Sequence, residues 1–137
     1  MSALFTSVAT ATNGREGKVV SSDGQIDLSL AFPVAAGGTG KGTNPEQLFA
    51  AGYSACFGGA LDAVARETKT NIAGTTVTGE VTLHKGDDGF SISVVLRVAL
   101  PEALRNEEGR KLVESAHQVC PYSKATRGNI PVELVVD

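Results

Sequence analysis

The sequence predicts an α+β fold in which antiparallel β-sheets surround a long central helix. Runs of alternating apolar and polar residues, typical of half-buried strands, occur on both sides of a helical segment in the middle of the chain. That segment, Asn44 to Thr68, contains no proline after Pro45. Short turns rich in Gly, Asp and Asn separate the strand segments, as expected where neighbouring strands run antiparallel.

Length and composition indicate one ordinary globular domain over residues 1–137. The chain is 42% hydrophobic and 20% charged, and no uninterrupted apolar run is long enough to cross a bilayer. A net charge of −3 without a Lys/Arg cluster gives no electrostatic basis for binding nucleic acid. The N-terminal segment has neither the basic region nor the apolar region of an export signal, so we expect a cytoplasmic protein that does not bind membranes.

Three strands are predicted before the central helix. The turn Ser21 to Gly24 joins the second to the third, and a tight turn at Asn13 to Gly17 projects Arg15. A solvated turn residue is the simplest interpretation of Arg15. The glycine-rich segment Ala35 to Thr43 lacks the spacing of a nucleotide-binding phosphate loop and is interpreted as a connection. The predicted strands are Leu4 to Thr12, Lys18 to Ser21 and Ile26 to Phe32.

The central helix begins with suitable capping residues. Asn44 and Pro45 fit the N-cap and the first helical position, and Glu46 fits the positive end of the helix dipole. The interior contains many small residues, including Gly58 and Gly59, although Gly lowers helix stability by about 1 kcal/mol relative to Ala. We therefore expect another part of the protein to approach this helix closely.

A hairpin, two helices and a final strand are predicted after the central helix. Alternating runs flank the turn Gly86 to Gly89, Asn106 is a suitable helix cap, and Pro121 is suitable as a first helical residue. The predicted strands are Thr76 to Lys85, Phe90 to Leu100 and Ile130 to Val136. The predicted helices are Glu107 to Val119 and Cys120 to Arg127.

The two cysteines are the main candidates for chemistry. Cys120 precedes a proline at a helix start, where free backbone N–H groups favour the thiolate. Cys56 lies inside a helix, so lowering its pKa from about 8.5 requires a nearby cation, for which Arg15 is the best candidate. Both thiols could instead be small buried hydrophobic residues, a common location of free cysteine. His84 and His117 add no metal-binding spacing, so no metal is expected.

Glu46 is the carboxylate expected to hold Arg15, because a carboxylate is a bidentate partner for a guanidinium. It lies ten residues before Cys56, which corresponds to about 15 Å along a helix, so these two side chains cannot touch. If they belong to one site, either Arg15 bridges a long gap or two copies of the chain form the site together. We favour the second, because a glycine-rich helix suits a tight subunit contact.

Two segments surround the cysteines, NPEQLFAAGYSACF from Asn44 to Phe57 and VCPYS from Val119 to Ser123. They resemble the signature segments of the organic hydroperoxide resistance (Ohr) proteins, a branch of the Ohr/OsmC superfamily. The resemblance extends to Gly14 to Gly24 and to the closing strand, and so covers essentially the whole chain. The VCPYS form is closer to the Ohr branch than to OsmC proper.

The resemblance implies an OsmC-like fold, an intertwined homodimer and a thiol peroxidase that reduces organic hydroperoxides, in particular those of fatty acids. By position, Cys56 matches the peroxidatic cysteine and Cys120 the resolving cysteine, which form a disulfide during turnover. Arg15 matches the arginine that activates the thiolate, and Glu46 the glutamate that holds this arginine. Such enzymes use lipoylated proteins as the reductant and need neither a metal nor an organic cofactor.

Phe49, Tyr53 and Phe57 are candidates for an apolar substrate pocket, although core packing explains each of them at least as well. Two alternative functions remain open. One is an OsmC-type peroxidase, and the other is a non-catalytic dimer that binds a lipid or senses redox state. Turnover of organic hydroperoxide, and its ratio to turnover of hydrogen peroxide, distinguishes these functions.

Overall fold

The structure, a computed structural model, describes all of residues 1–137. The chain forms two compact units, Met1–Leu48 and Phe49–Asp137. Each unit contains its own three-stranded sheet. A single domain over residues 1–137 stays a prediction.

The sheet of the first unit is antiparallel, with the strand order β1-β2-β3. Its strands are β1 Ala9–Thr12, β2 Lys18–Ser21 and β3 Asp27–Ser29. The prediction that the first strand begins at Leu4 is wrong, because β2 pairs only with Ala9–Thr12 and leaves the preceding residues without a partner strand. Leu4 and Phe5 are accordingly 90% and 85% exposed.

The glycine-rich segment returns to the third strand before the central helix begins. The N–H of Thr43 donates to the carbonyl of Ser29 at 2.9 Å. Asn44 then caps the helix, because its side-chain oxygen accepts a hydrogen bond from the N–H of Gln47 at 2.8 Å. These contacts hold the first turn of the helix, which carries Glu46, next to the third strand within the first unit.

The central helix, α1, spans Pro45–Glu67 and agrees closely with the predicted helix. By length and composition alone it is apolar enough to cross a membrane. This property was not predicted from the sequence, because polar residues interrupt the many Ala and Gly residues of α1 and leave no uninterrupted apolar run. Large apolar side chains of α1 pack in the core of the second unit, where Tyr53, Phe57 and Leu61 are buried.

The sheet of the second unit has the order β4-β5-β6 and mixed strand directions. Its strands are β4 Thr76–Gly86, β5 Gly89–Ala99 and β6 Val132–Val136. The β4-β5 hairpin is antiparallel as predicted, but β6 runs parallel to β5, so the prediction of purely antiparallel sheets is wrong. Two helices lie between β5 and β6, and only a long crossover of this kind lets a strand return in the direction of its neighbour.

The crossover consists of α2, Glu107–Val119, and α3, Pro121–Thr126. Asn106 caps α2 as predicted, since its side-chain oxygen accepts a hydrogen bond from the N–H of Gly109. The apolar face of α2 packs in the same core as α1 and β5. The buried residues of α2 and β5 in this core include Leu112, Val113, Ala116, Val94, Leu96 and Val98.

Gly109, in the first turn of α2, lies against the chain that precedes the helix. A Cβ at this position would collide with the carbonyl oxygen of Leu104 and would lie 2.7 Å from Cδ1 of Leu100. Gly109→Ala is therefore expected to lower the free energy of unfolding by about 1–3 kcal/mol, the usual cost of overpacking. Chemical denaturation measures this change, with Ser115→Ala on the exposed face of α2 as the control. An equal or higher free energy of unfolding for Gly109→Ala would contradict the prediction.

Candidate active site

The two cysteines lie next to each other in the second unit. The Sγ atom of Cys120 is 3.4 Å from the Sγ atom of Cys56, and both residues are free thiols. Cys56 is partly exposed on α1, whereas Cys120 is fully buried between α2 and α3. Since the sulfur atoms of a disulfide are about 2.05 Å apart, they need to approach by only roughly 1.4 Å for an oxidation to join them.

Cys120 is held at the junction of two helices. Its N–H ends α2 by donating to the carbonyl of Ala116 at 2.9 Å. Its extended backbone then places its sulfur at the start of α3, where the Sγ atom accepts a hydrogen bond from the N–H of Ser123 at 3.5 Å. The predicted position of Cys120 at a helix start is confirmed.

Gly52 explains how the start of α3 comes close to α1. A Cβ on Gly52 would lie 2.8 Å from the phenol oxygen of Tyr122, so only Gly leaves room for this ring. Tyr122 also packs against Tyr53 and Phe49, with ring centroids 5.7 Å and 6.1 Å away. The expected close approach to the small residues of α1 is confirmed at Gly52. The approaching residue is Tyr122, two residues after Cys120.

The residues predicted to form an apolar substrate pocket belong mainly to the core. Tyr53 and Phe57 are fully buried, and Phe49 is partly buried at the edge of the same cluster. Core packing accounts for these positions, and a substrate role for the three residues stays a prediction. In the first unit, the glycine-rich segment and Phe32 line a cavity of about 480 Å³.

Three polar residues near Cys120 were not predicted as functional from the sequence, namely His117, Ser123 and Thr126. The Oγ atom of Ser123 lies 2.8 Å from Nδ1 of His117 and 2.8 Å from the hydroxyl of Tyr53, which also contacts Thr126. From the sequence, His117 is a candidate only as a metal ligand. The position of Ser123 in the Cys-Pro-Tyr-Ser segment was the one available signal.

Burial raises the pKa of the Cys56 thiol above its ordinary value. The neighbouring Cys120 raises it further, and the backbone N–H of Tyr122 acts in the opposite direction. Within the second unit, therefore, the surroundings of Cys56 favour the thiol over the thiolate. A reactive Cys56 needs an additional positive charge.

Arg15 and Glu46 form a bidentate ion pair in the first unit. The distances are 2.7 Å from Nη1 to Oε1 and 2.9 Å from Nη2 to Oε2, and the guanidinium also lies 6.0 Å from the centre of the Phe32 ring. The hydrogen bonds from Arg15 lower the pKa of Glu46, and the same hydrogen bonds raise the pKa of Arg15. Because the carboxyl pKa is lowered, the pair is complete above the ordinary pKa of glutamate and is lost as acid protonates Glu46.

The fold and the site define a class of protein. It is an α+β protein with two free thiols close enough to each other to form a disulfide. The sequence model of the OsmC-like protein family matches residues 38–135 of the chain. An organic hydroperoxide resistance protein of Xanthomonas axonopodis pv. citri is 52% identical over 97% of this chain and 94% of its own length.

Solved structures give the same result. The crystal structure of OhrB, an organic hydroperoxide resistance protein of Bacillus subtilis, has a TM-score of 0.89 at 50% identity and covers 98% of this chain and 100% of its own. That of an organic hydroperoxide resistance protein from Legionella pneumophila has a TM-score of 0.92 at 45% identity and covers 99% of each chain. The chain belongs to the OsmC-like family and, within it, to the organic hydroperoxide resistance proteins.

Proposed function

We propose that this protein is a thiol peroxidase that reduces organic hydroperoxides of the fatty acid type to alcohols. The 3.4 Å separation of the Cys56 and Cys120 sulfur atoms is the observation that carries the proposal. Relatives named as organic hydroperoxide resistance proteins, with 50% and 52% identity, support the choice of substrate.

The proposed reaction proceeds in two steps at the cysteines. The Cys56 thiolate attacks one peroxide oxygen, the O–O bond breaks, and the released alkoxide takes up a proton to become the alcohol. Cys56 is oxidised to a sulfenic acid. The Cys120 sulfur attacks the Cys56 sulfur, so that a disulfide forms and water leaves.

An external dithiol then reduces the disulfide by exchange and is itself oxidised to a disulfide. We assign this role to the dihydrolipoyl group of a lipoylated protein, because its arm is long and apolar and can reach a recessed sulfur. A reducing cytoplasm is the proposed location, since a disulfide in that compartment is normally transient. The reaction requires neither a metal nor an organic cofactor.

Arg15 is proposed to hold Cys56 as the thiolate, while Glu46 holds Arg15 in place. Two observations support this assignment. Burial raises the pKa of Cys56, so that the residue needs a cation, and the bidentate pair with Glu46 orients the Arg15 guanidinium.

We further propose that two copies of the chain form an intertwined homodimer. Apolar side chains in the first unit remain exposed in the single chain, and a second copy would cover them. These side chains are Leu4, Phe5 and Leu28, which are 90%, 85% and 42% exposed. α1 also has an exposed face of small residues that suits close helix contact, formed by Ala51, Ala55 and Gly59.

A turnover assay tests the proposed function. Purified protein receives tert-butyl or linoleic hydroperoxide with a dihydrolipoyl dithiol, with thioredoxin replacing the dithiol in a parallel reaction, and residual peroxide is measured over time. We expect continuous consumption with the dihydrolipoyl dithiol and much slower consumption with thioredoxin. A single stoichiometric oxidation without turnover would contradict an enzyme and favour a redox sensor. Faster turnover of hydrogen peroxide than of organic hydroperoxide would favour an OsmC-type peroxidase.

The proposed homodimer has a separate test. Light scattering measures the mass of the particle in solution, which is expected to be that of two chains.

A further inference from the structure

Four side chains of the second unit form a hydrogen-bonded group that we call the hydroxyl cluster. Its members are Tyr53, His117, Ser123 and Thr126. Three of these residues, Tyr53, Ser123 and Thr126, are buried, so their hydroxyl groups depend on one another for partners. The proposed reaction gives no role to the cluster.

The number of protons in the cluster determines the direction of its hydrogen bonds. The hydroxyl of Thr126 donates to the carbonyl of Ser123 at 3.2 Å, so Thr126 can only accept from Tyr53, whose oxygen lies 3.0 Å away. Tyr53 has then used its one proton and accepts from Ser123 at 2.8 Å. Ser123 in turn accepts from Nδ1–H of His117 at 2.8 Å. This assignment satisfies every contact of the cluster and selects the Nδ1–H tautomer of His117.

The cluster connects the two elements that carry the sulfur atoms. Tyr53 lies one helical turn before Cys56 on α1, so the two side chains share a face of the helix. Ser123 lies on α3, and its N–H donates to the Cys120 Sγ atom at 3.5 Å. The hydrogen bond from Ser123 to Tyr53 therefore joins the Cys120 end of α3 directly to the part of α1 that carries Cys56.

We propose that the hydroxyl cluster is a positioning device that sets the approach of the Cys120 sulfur to the Cys56 sulfur, with Ser123 as its central positioning residue. The inference rests on the proposed function. The step concerned is the attack of Cys120 on the Cys56 sulfenic acid, in which the S–S bond forms, the S–O bond breaks, and the thiol proton leaves with the hydroxyl as water. A second peroxide molecule competes with this step by oxidising the sulfenic acid further.

Ser123→Ala tests the proposal, because it removes the shared hydroxyl and keeps the backbone N–H that contacts Cys120. The reduced variant receives one equivalent of organic hydroperoxide, and samples are quenched over time, alkylated and analysed by mass spectrometry. The rate of disulfide formation is expected to fall about tenfold, because misplacement of reacting groups by 1 Å can cost up to about 10²-fold. The initial oxidation of Cys56 keeps its rate, and with excess peroxide the overoxidised fraction of Cys56 increases.

Thr126→Val is a second variant of the cluster and is compared with a threonine outside the cluster. It removes a buried threonine hydroxyl that donates to a backbone carbonyl, whereas Thr68→Val removes a hydroxyl that also donates to a backbone carbonyl but lies at an exposed position just after α1. We expect slower disulfide formation in Thr126→Val and wild-type behaviour in Thr68→Val. His117→Asn retains a donor near the position of Nδ1, so it is expected to form the disulfide faster than His117→Leu.

The outcomes separate this inference from the proposed function. If wild-type Cys56 does not form a sulfenic acid, the proposed function fails. If it does, and folded Ser123→Ala and Thr126→Val form the disulfide at the wild-type rate, the positioning role is wrong and the peroxidase remains. Equal slowing in Thr68→Val would also overturn the positioning role, because the effect would then not depend on the hydroxyl cluster.

Discussion

Cys56→Ser is expected to reduce hydroperoxide consumption to the rate of the dithiol without protein. A serine hydroxyl is not ionised near neutral pH and has no sulfenic acid chemistry, so neither the first step nor the disulfide can follow. A coupled assay with the dihydrolipoyl dithiol measures the loss. The variant is expected to fold, since Cys56 is partly exposed and serine is close to it in size.

Cys120→Ser is the matched variant, because it removes the other sulfur of the pair. It is expected to retain the first oxidation of Cys56 and to lose the disulfide, so that Cys56 gains further oxygen atoms under excess peroxide. Mass spectrometry of the oxidised protein distinguishes the two variants. Substantial turnover by Cys56→Ser, or equal behaviour of the two variants, would contradict the assignment of Cys56 as the residue that attacks peroxide.

Local sequence patterns were sufficient to predict most of the elements that carry the cysteines. The N-cap residue Asn44 and the absence of later prolines predicted α1, and Cys120-Pro121 predicted the start of α3. In contrast, the parallel direction of β6 depends on how the crossover through α2 and α3 packs. The alternation of apolar residues does not contain this information, because it is the same for a parallel and an antiparallel edge strand.

The hydroxyl cluster could not have been predicted for a similar reason. Tyr53 and Ser123 are 70 residues apart, and only the packing of α3 against α1 brings their oxygen atoms within 2.8 Å. From the sequence, Tyr53 is an aromatic residue on a helix, for which a pocket and a core position are equally good interpretations. Gly109 shows the same limit, because from the sequence a glycine in the first turn of a helix indicates only lower helix stability, and the nearby carbonyl of Leu104 is visible only in the structure.

Arg15→Met is expected to raise the pKa of Cys56 and to slow the first oxidation at neutral pH. An opposite charge within about 4–6 Å typically changes a pKa by about 1–3, so loss of the guanidinium lowers the thiolate fraction at least tenfold if Arg15 acts as proposed. Burial already raises the pKa of this thiol, which increases its dependence on a cation. The rate of iodoacetamide alkylation of Cys56 as a function of pH measures the change, and the midpoint should move to higher pH in the variant.

Arg97→Met is the matched control, because Arg97 also pairs with a glutamate, Glu80, on the exposed β4-β5 hairpin. Both substitutions remove one guanidinium from an Arg–Glu pair and change the net charge equally, so a general electrostatic effect would appear in both. Glu46→Gln should give an intermediate result, since it leaves the charge of Arg15 but removes the carboxylate that orients it. If Arg15→Met and Arg97→Met show the same alkylation midpoint as the wild type, Arg15 does not activate Cys56. The cation that the partly buried Cys56 thiolate needs must then come from a different residue.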